Sequence, residues 1–136
     1  MPALDTLPTA SAIPAATEGV QPALDLAVLR ALVGDDPQTI DELLADYAVS
    51  ARDLASGIDE AIAAGNLGRI ATNAHRLKSS SRAVGALTLG DLCGELEMAS
   101  RAGSVDAVGK WIGRFADERA RVEACLHAVL PMQRST

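Results

Sequence analysis

Between the Asp36-Pro37 pair and Gly65, apolar residues recur at spacings of three and four without a break. Ile40, Leu43, Leu44, Tyr47, Ala51, Leu54, Ile58 and Ile62 fall on one helical stripe, with charged residues between them. Asp36 is suited to cap the helix, Pro37 to its first position and Gly65 to its end. A helix this long that is apolar on one side only must bury that side against something else. The rest of the chain therefore has to supply further amphipathic helices.

It does. Leu24 to Val33 reads as a short helix with Leu26, Leu29, Leu32 and Val33 on one side. Asn66 can cap a helix whose Leu67, Ile70, Ala74, Leu77, Ser81 and Val84 share a face and which Gly85 closes. A further helix spans roughly Thr88 to Arg101, with Thr88 as its cap and Leu89, Leu92, Cys93, Leu96 and Ala99 as its buried stripe. After Ala102-Gly103, Ser104 caps the last helix, which runs to about Leu130 before Pro131. Its seam is Val105, Val108, Ile112, Phe115, Val122, Leu126 and Val129, interrupted once by Arg119. No stretch alternates as a strand does, and no internal repeat is visible. The expected fold is all-α: an antiparallel up-down-up-down four-helix bundle with a short extra N-terminal helix across one end.

The chain divides into three parts. Residues 1–22 hold Pro2, Pro8, Pro14 and Pro22 among Ala, Thr and Ser with no apolar period, as a tail or linker would. Residues 23–131 form the bundle, and residues 132–136 are a frayed end. The Pro/Ala-rich leader suggests a domain joined to a larger chain, and a free-standing protein with a loose N-terminus fits the same composition.

Charge and composition exclude several classes of function. The formal net charge of −6 gives no basic footprint for nucleic acid or an anionic membrane surface. No run approaches the roughly 18 apolar residues of a membrane span. The start lacks the basic and apolar regions of a secretory signal. Cys93 and Cys125 have no CxxC spacing and read as two buried free thiols of a cytoplasmic protein.

The chemistry concentrates in Ala74-His75-Arg76-Leu77-Lys78-Ser79-Ser80-Ser81-Arg82. His75 lies opposite the apolar face of its helix, so it stands in solvent. Its neighbours on that surface include Gly68, Ala71, Thr72 and Ser79, a low platform over which a bulky partner can approach the ring. Lys78 and Arg82 follow one and two turns later and bring positive charge to the same face. A neutral imidazole is a good nucleophile near pH 7. Cations beside it can stabilise phosphoryl oxygens during transfer, a reaction that asks chiefly for position and charge.

His75, Leu77, Lys78, Ser80, Gly85, Ala86, Leu89, Cys93, Leu96 and Glu97 together resemble the signature of histidine-containing phosphotransfer (HPt) domains. That signature reads H-x-L-K-G-S-S/A, then a glycine at the following turn, then L-x-x-x-C-x-x-L-E. The resemblance implies a phosphorelay intermediate without kinase activity of its own. Such a domain takes a phosphoryl group from an aspartyl phosphate on one receiver domain and passes it to another receiver. Carried over by position, it implies His75 as phospho-acceptor through Nε2, with Lys78 beside the phosphoryl group; Arg82 and Ser79, on the same helix face, are read as further supports. It also implies Glu97 holding Nδ1–H to orient the imidazole, and Gly85 as the turn that lets the next helix fold back. Ser79 departs from the family, which usually has glycine there. The implied partners are response-regulator receivers or a hybrid sensor kinase, met by a monomer. The implied cofactor is none of its own, with Mg2+ supplied by the receiver.

Other candidates are weaker. A metal site from His75, His127, Cys93 and Cys125 would need four converging ligands, so none is expected. His127 reads as a surface residue near a helix C-terminus, and Trp111 as a partly buried bundle residue. Two competing functions remain: a docking adaptor that leaves His75 unused, and a kinase dimerisation domain. The latter needs an ATP-binding domain that this sequence does not contain. Its histidine is also usually followed by an acid, whereas Arg76 follows here.

Overall fold

The structure is a computed structural model that describes residues 22–130. The expected leader, apart from Pro22, and the expected frayed end at 132–136 lie outside the described residues. Five helices follow in order: α1 Leu26–Val33, α2 Pro37–Ala64, α3 Leu67–Val84, α4 Leu87–Arg101 and α5 Val105–Val129. Among the described residues there is no strand. The four long helices form the antiparallel bundle, and α1 packs on α2 and α3.

Local chemistry sets most of the boundaries. Asp36 accepts hydrogen bonds from the Thr39 backbone at 3.2 Å and the Thr39 hydroxyl at 2.7 Å. Asn66 caps α3 through the Arg69 N–H at 3.1 Å, and Ser104 caps α5 through the Ala107 N–H at 3.0 Å. Gly65 and Gly85 end α2 and α3 in the left-handed conformation, φ 69° and 89°.

α4 is the exception. It starts at Leu87, ahead of Thr88, and no side chain caps it. The turn is so tight that Ala86 is fully buried and its N–H goes back to the Ser81 carbonyl, so a capping side chain has no room there.

The core runs through Phe115, Leu29, Leu44, Ile58, Ile70, Leu77, Leu89, Leu96 and Cys93. Within it, Tyr47 of α2 and Ser81 of α3 share a 2.7 Å hydrogen bond, which satisfies both hydroxyls. Burial pushes the Tyr47 phenol up to about 12 and the Cys93 thiol up to about 12. Cys93 is buried as expected, whereas Cys125 is only half-buried.

α1 buries a different set of residues from the one its stripe predicts. Leu29 is covered, but Leu32 is 67 % and Val33 37 % exposed. After Leu29 this short helix runs past the end of the bundle. Ala23 and Leu24, ahead of the helix, take the core places instead. The Asp25 N–H bonds the Gly85 carbonyl at 2.8 Å, tying the start of α1 to the α3–α4 turn. A Cβ on Gly85 would lie 2.0 Å from the Asp25 carbonyl oxygen, so close approach as well as positive φ requires glycine. Val105 is likewise exposed, at 68 %, because it is the first residue of α5 and lies beyond the packed part of the seam.

Candidate functional site

α3 is flanked by α2 on one side and α4 on the other. Ala74 and Leu77 point inward and are fully covered, which turns His75, one of the two residues between them, outward with its side chain 54 % exposed. The covered arc of α3 is wider than a single stripe because two helices flank it. Ala71 is therefore buried, 3 % exposed, and does not belong to the open surface around the ring. Gly68, Thr72 and Ser79 are exposed there.

Glu97 of α4 ties the site together. Its Oε2 lies 2.9 Å from His75 Nδ1, and its Oε1 accepts from Lys78 Nζ at 2.8 Å. Arg101, one turn further along α4, donates through Nε to Oε2 at 3.0 Å. The carboxylate is only 11 % exposed, a position in which an unpaired charge would be costly. Its pKa nevertheless falls from the ordinary 4.5 to about 2, first through the Lys78 hydrogen bond, which with Arg101 and His75 outweighs desolvation. An ionised carboxylate only accepts, so Nδ1–H donates to it and Nε2 is the ring nitrogen that Glu97 leaves open.

The remaining predicted residues are placed differently. Ser79 donates its hydroxyl back to the His75 carbonyl at 3.3 Å, along its own helix. Arg82 reaches across to Asp91 of α4 at 3.2 Å and does not join the carboxylate cluster. Gly85 sits at the turn, as described. His127 lies on the last turn of α5, and Trp111 is half-buried with Arg114 5.3 Å from its ring centroid. Among the described residues no group of three His, Cys, Asp or Glu side chains is arranged to hold a metal.

Sequence reasoning missed three residues. Arg101 bears directly on Glu97, and its signal was present as an acid followed four residues later by a base on a helix. Gly90 and Gly94 of α4 leave a slot for the long side chains from α3. A Cβ at Gly90 would come within 2.8 Å of Arg82 Cγ, and one at Gly94 within 3.5 Å of Lys78 Cδ. Two glycines one turn apart in a helix were the available signal.

A reactive nitrogen held outward by a carboxylate, with lysine alongside, is the geometry that comparison with known proteins can test. The Hpt domain family matches residues 42–130, well over half of the chain. The chain belongs to the Hpt domain family. Members of this family are phosphotransfer intermediates of phosphorelays rather than kinases. A solved structure, histidine-containing phosphotransfer protein B (HptB) from Pseudomonas aeruginosa PAO1, superposes with a TM-score of 0.74 at 25 % identity. The match covers 83 % of this chain and 98 % of that one. A comparison with curated proteins finds no match. No helix among the described residues is long and apolar enough to cross a membrane.

Proposed function

We propose that His75 accepts a phosphoryl group on Nε2 from the aspartyl phosphate of one receiver domain and passes it to the aspartate of another. One observation carries this reading: Glu97 occupies Nδ1, which leaves Nε2 as the exposed nucleophile. The Nε2 lone pair attacks phosphorus, and the phosphorus–oxygen bond to the aspartate breaks with its electrons going to the carboxylate. No proton has to leave, because Nδ1–H stays on the ring and donates to Glu97. The positive charge gained by the phosphorylated imidazole is balanced by that carboxylate. Lys78, three residues from His75 on the same face, is the cation placed to meet the phosphoryl oxygens.

In this reading the receiver brings the Mg2+ and the acidic residues that hold it. The chain works as a monomer in the cytoplasm, free or joined to a hybrid sensor kinase. Ser79 replaces the usual glycine, but its hydroxyl folds back onto the helix and keeps the approach to the ring low.

The test is transfer of label from a phosphorylated receiver. Wild type takes label on a histidine, and His75→Gln takes none while melting at the same temperature. Lys78→Ala slows transfer about tenfold or more without loss of fold. Wild type that stays unlabelled with every receiver tried would favour an adaptor that leaves His75 unused.

A further inference from the structure

Glu97 is bound by more cationic groups than orienting an imidazole requires. One oxygen takes Lys78, and the other takes both His75 and Arg101. The two permanent cations come from different helices. Lys78 rides on α3 beside the reactive ring, and its flexible stem with three rotating donors can turn from Glu97 to a group on Nε2. Arg101 shares α4 with Glu97, four residues on, so their pairing does not depend on where α3 or its side chains go. Arg101 is also charged at every relevant pH.

Phosphorylation brings two negative charges to Nε2, and Lys78, one turn along α3 from His75, has the reach to meet them. Once Lys78 turns away, a carboxylate that is only 11 % exposed loses the donor on its Oε1. Left with the imidazole alone, it would gain by rotating toward water or taking up a proton. Either change would release Nδ1–H at the stage when the ring carries positive charge.

We propose that Arg101 is a positioning residue for phosphotransfer, one that keeps Glu97 ionised and against Nδ1 while Lys78 serves the phosphoryl group. The inference rests on the phosphotransfer reading and assigns a division of labour within it. Before phosphorylation the two cations are redundant for holding Glu97; afterwards Arg101 acts alone.

The test uses the full 136-residue chain, labelled with 15N at histidine, and phosphoramidate as the phosphoryl donor, so that no receiver is required. The readout is the Nδ1–H signal of His75 before and after phosphorylation. In wild type and Lys78→Ala it is expected in both states, because Arg101 remains. In Arg101→Gln it is expected before phosphorylation and lost or exchange-broadened after it. The phosphorylation rate of Arg101→Gln should fall about fivefold, and Arg101→Lys should restore most of it. The inference fails if phosphorylated Arg101→Gln keeps the signal, or if that variant has lost it before phosphorylation. Wild type that takes no phosphoryl group at His75 overturns the phosphotransfer reading itself, an outcome distinct from both.

Discussion

The α3–α4 seam and the α2–α5 seam lie on opposite sides of the bundle and are built on different principles. α3 and α4 pack closely along their length, with Leu77, Leu89, Cys93 and Leu96 sealed beneath a surface cluster of Lys78, Glu97 and Arg101. α2 and α5 hardly touch. Between them runs a groove of about 370 Å3, walled on the α2 side by Ala45, Ala48, Ala51 and Ala55. Ion pairs bridge this gap: Arg119 holds Asp59 at 2.8 and 2.9 Å, and Arg52 lies 3.8 Å from Glu123. The reactive side is therefore the closely packed side. The imidazole is held from the neighbouring helix, so it keeps its orientation only if the axial register of α3 on α4 is held firmly.

If that comparison is right, substitutions on the two seams should differ in size and sign. The largest loss should follow Gly85→Ala, which forces a Cβ into the Asp25 carbonyl at positive φ. We expect at least about 2 kcal/mol in urea unfolding. A loss under about 0.5 kcal/mol would mean that the α3–α4 turn is more pliable than drawn.

Ala74→Leu comes next. This residue is fully covered, so three added heavy atoms should cost about 2 kcal/mol by overpacking. The same change at Ala48, which lines the groove, should be neutral or stabilise by about 1 kcal/mol. Equal losses at the two positions would show that the groove closes in solution.

Glu97→Gln sharpens the electrostatic half of the comparison. The folded-state pKa of Glu97, about 2, lies below the ordinary 4.5. A depressed carboxylate stabilises fully above its unfolded pKa and is lost as pH falls. Wild type should therefore exceed the variant in stability at neutral pH, and thermal melts should converge between pH 4.5 and 2. A gap that stays constant down to pH 2 would mean that the carboxylate is not held by its cations.

Arg119→Gln should have the smallest effect. Arg119 is 32 % and Asp59 54 % exposed, so breaking the pair should cost no more than about 1 kcal/mol. A melting shift equivalent to more than about 2 kcal/mol would mean that this clasp, rather than the packing of α5 on α4, keeps α5 in place.

The legible and illegible features divide along the same line. The limits of α2, α3 and α5 could be read from Asp36, Asn66, Ser104, Gly65 and Gly85, because a cap acts within three or four residues of itself. The outward turn of His75 was likewise readable from its position between Ala74 and Leu77. α4 starts ahead of where Thr88 as a cap would place it, since the buried Ala86 turn is imposed by neighbours rather than by a cap. Arg119 reads as a break in the α5 seam, and its ion pair with Asp59 on α2 exists only because the fold brings the two helices together.

The sequence by itself determined the four long helices, most of their inward faces, the outward histidine and the family pattern around it. Periodicity and capping are properties of one helix and need no partner. The tertiary structure alone decided that Glu97 lies 2.9 Å from Nδ1, that Arg101 joins Lys78 on it, and that Gly85 carries the start of α1. Only there does the open α2–α5 groove appear. Such features depend on how far one helix slides along another. Side-chain packing across the whole core sets that register, and no local stretch of the chain contains it.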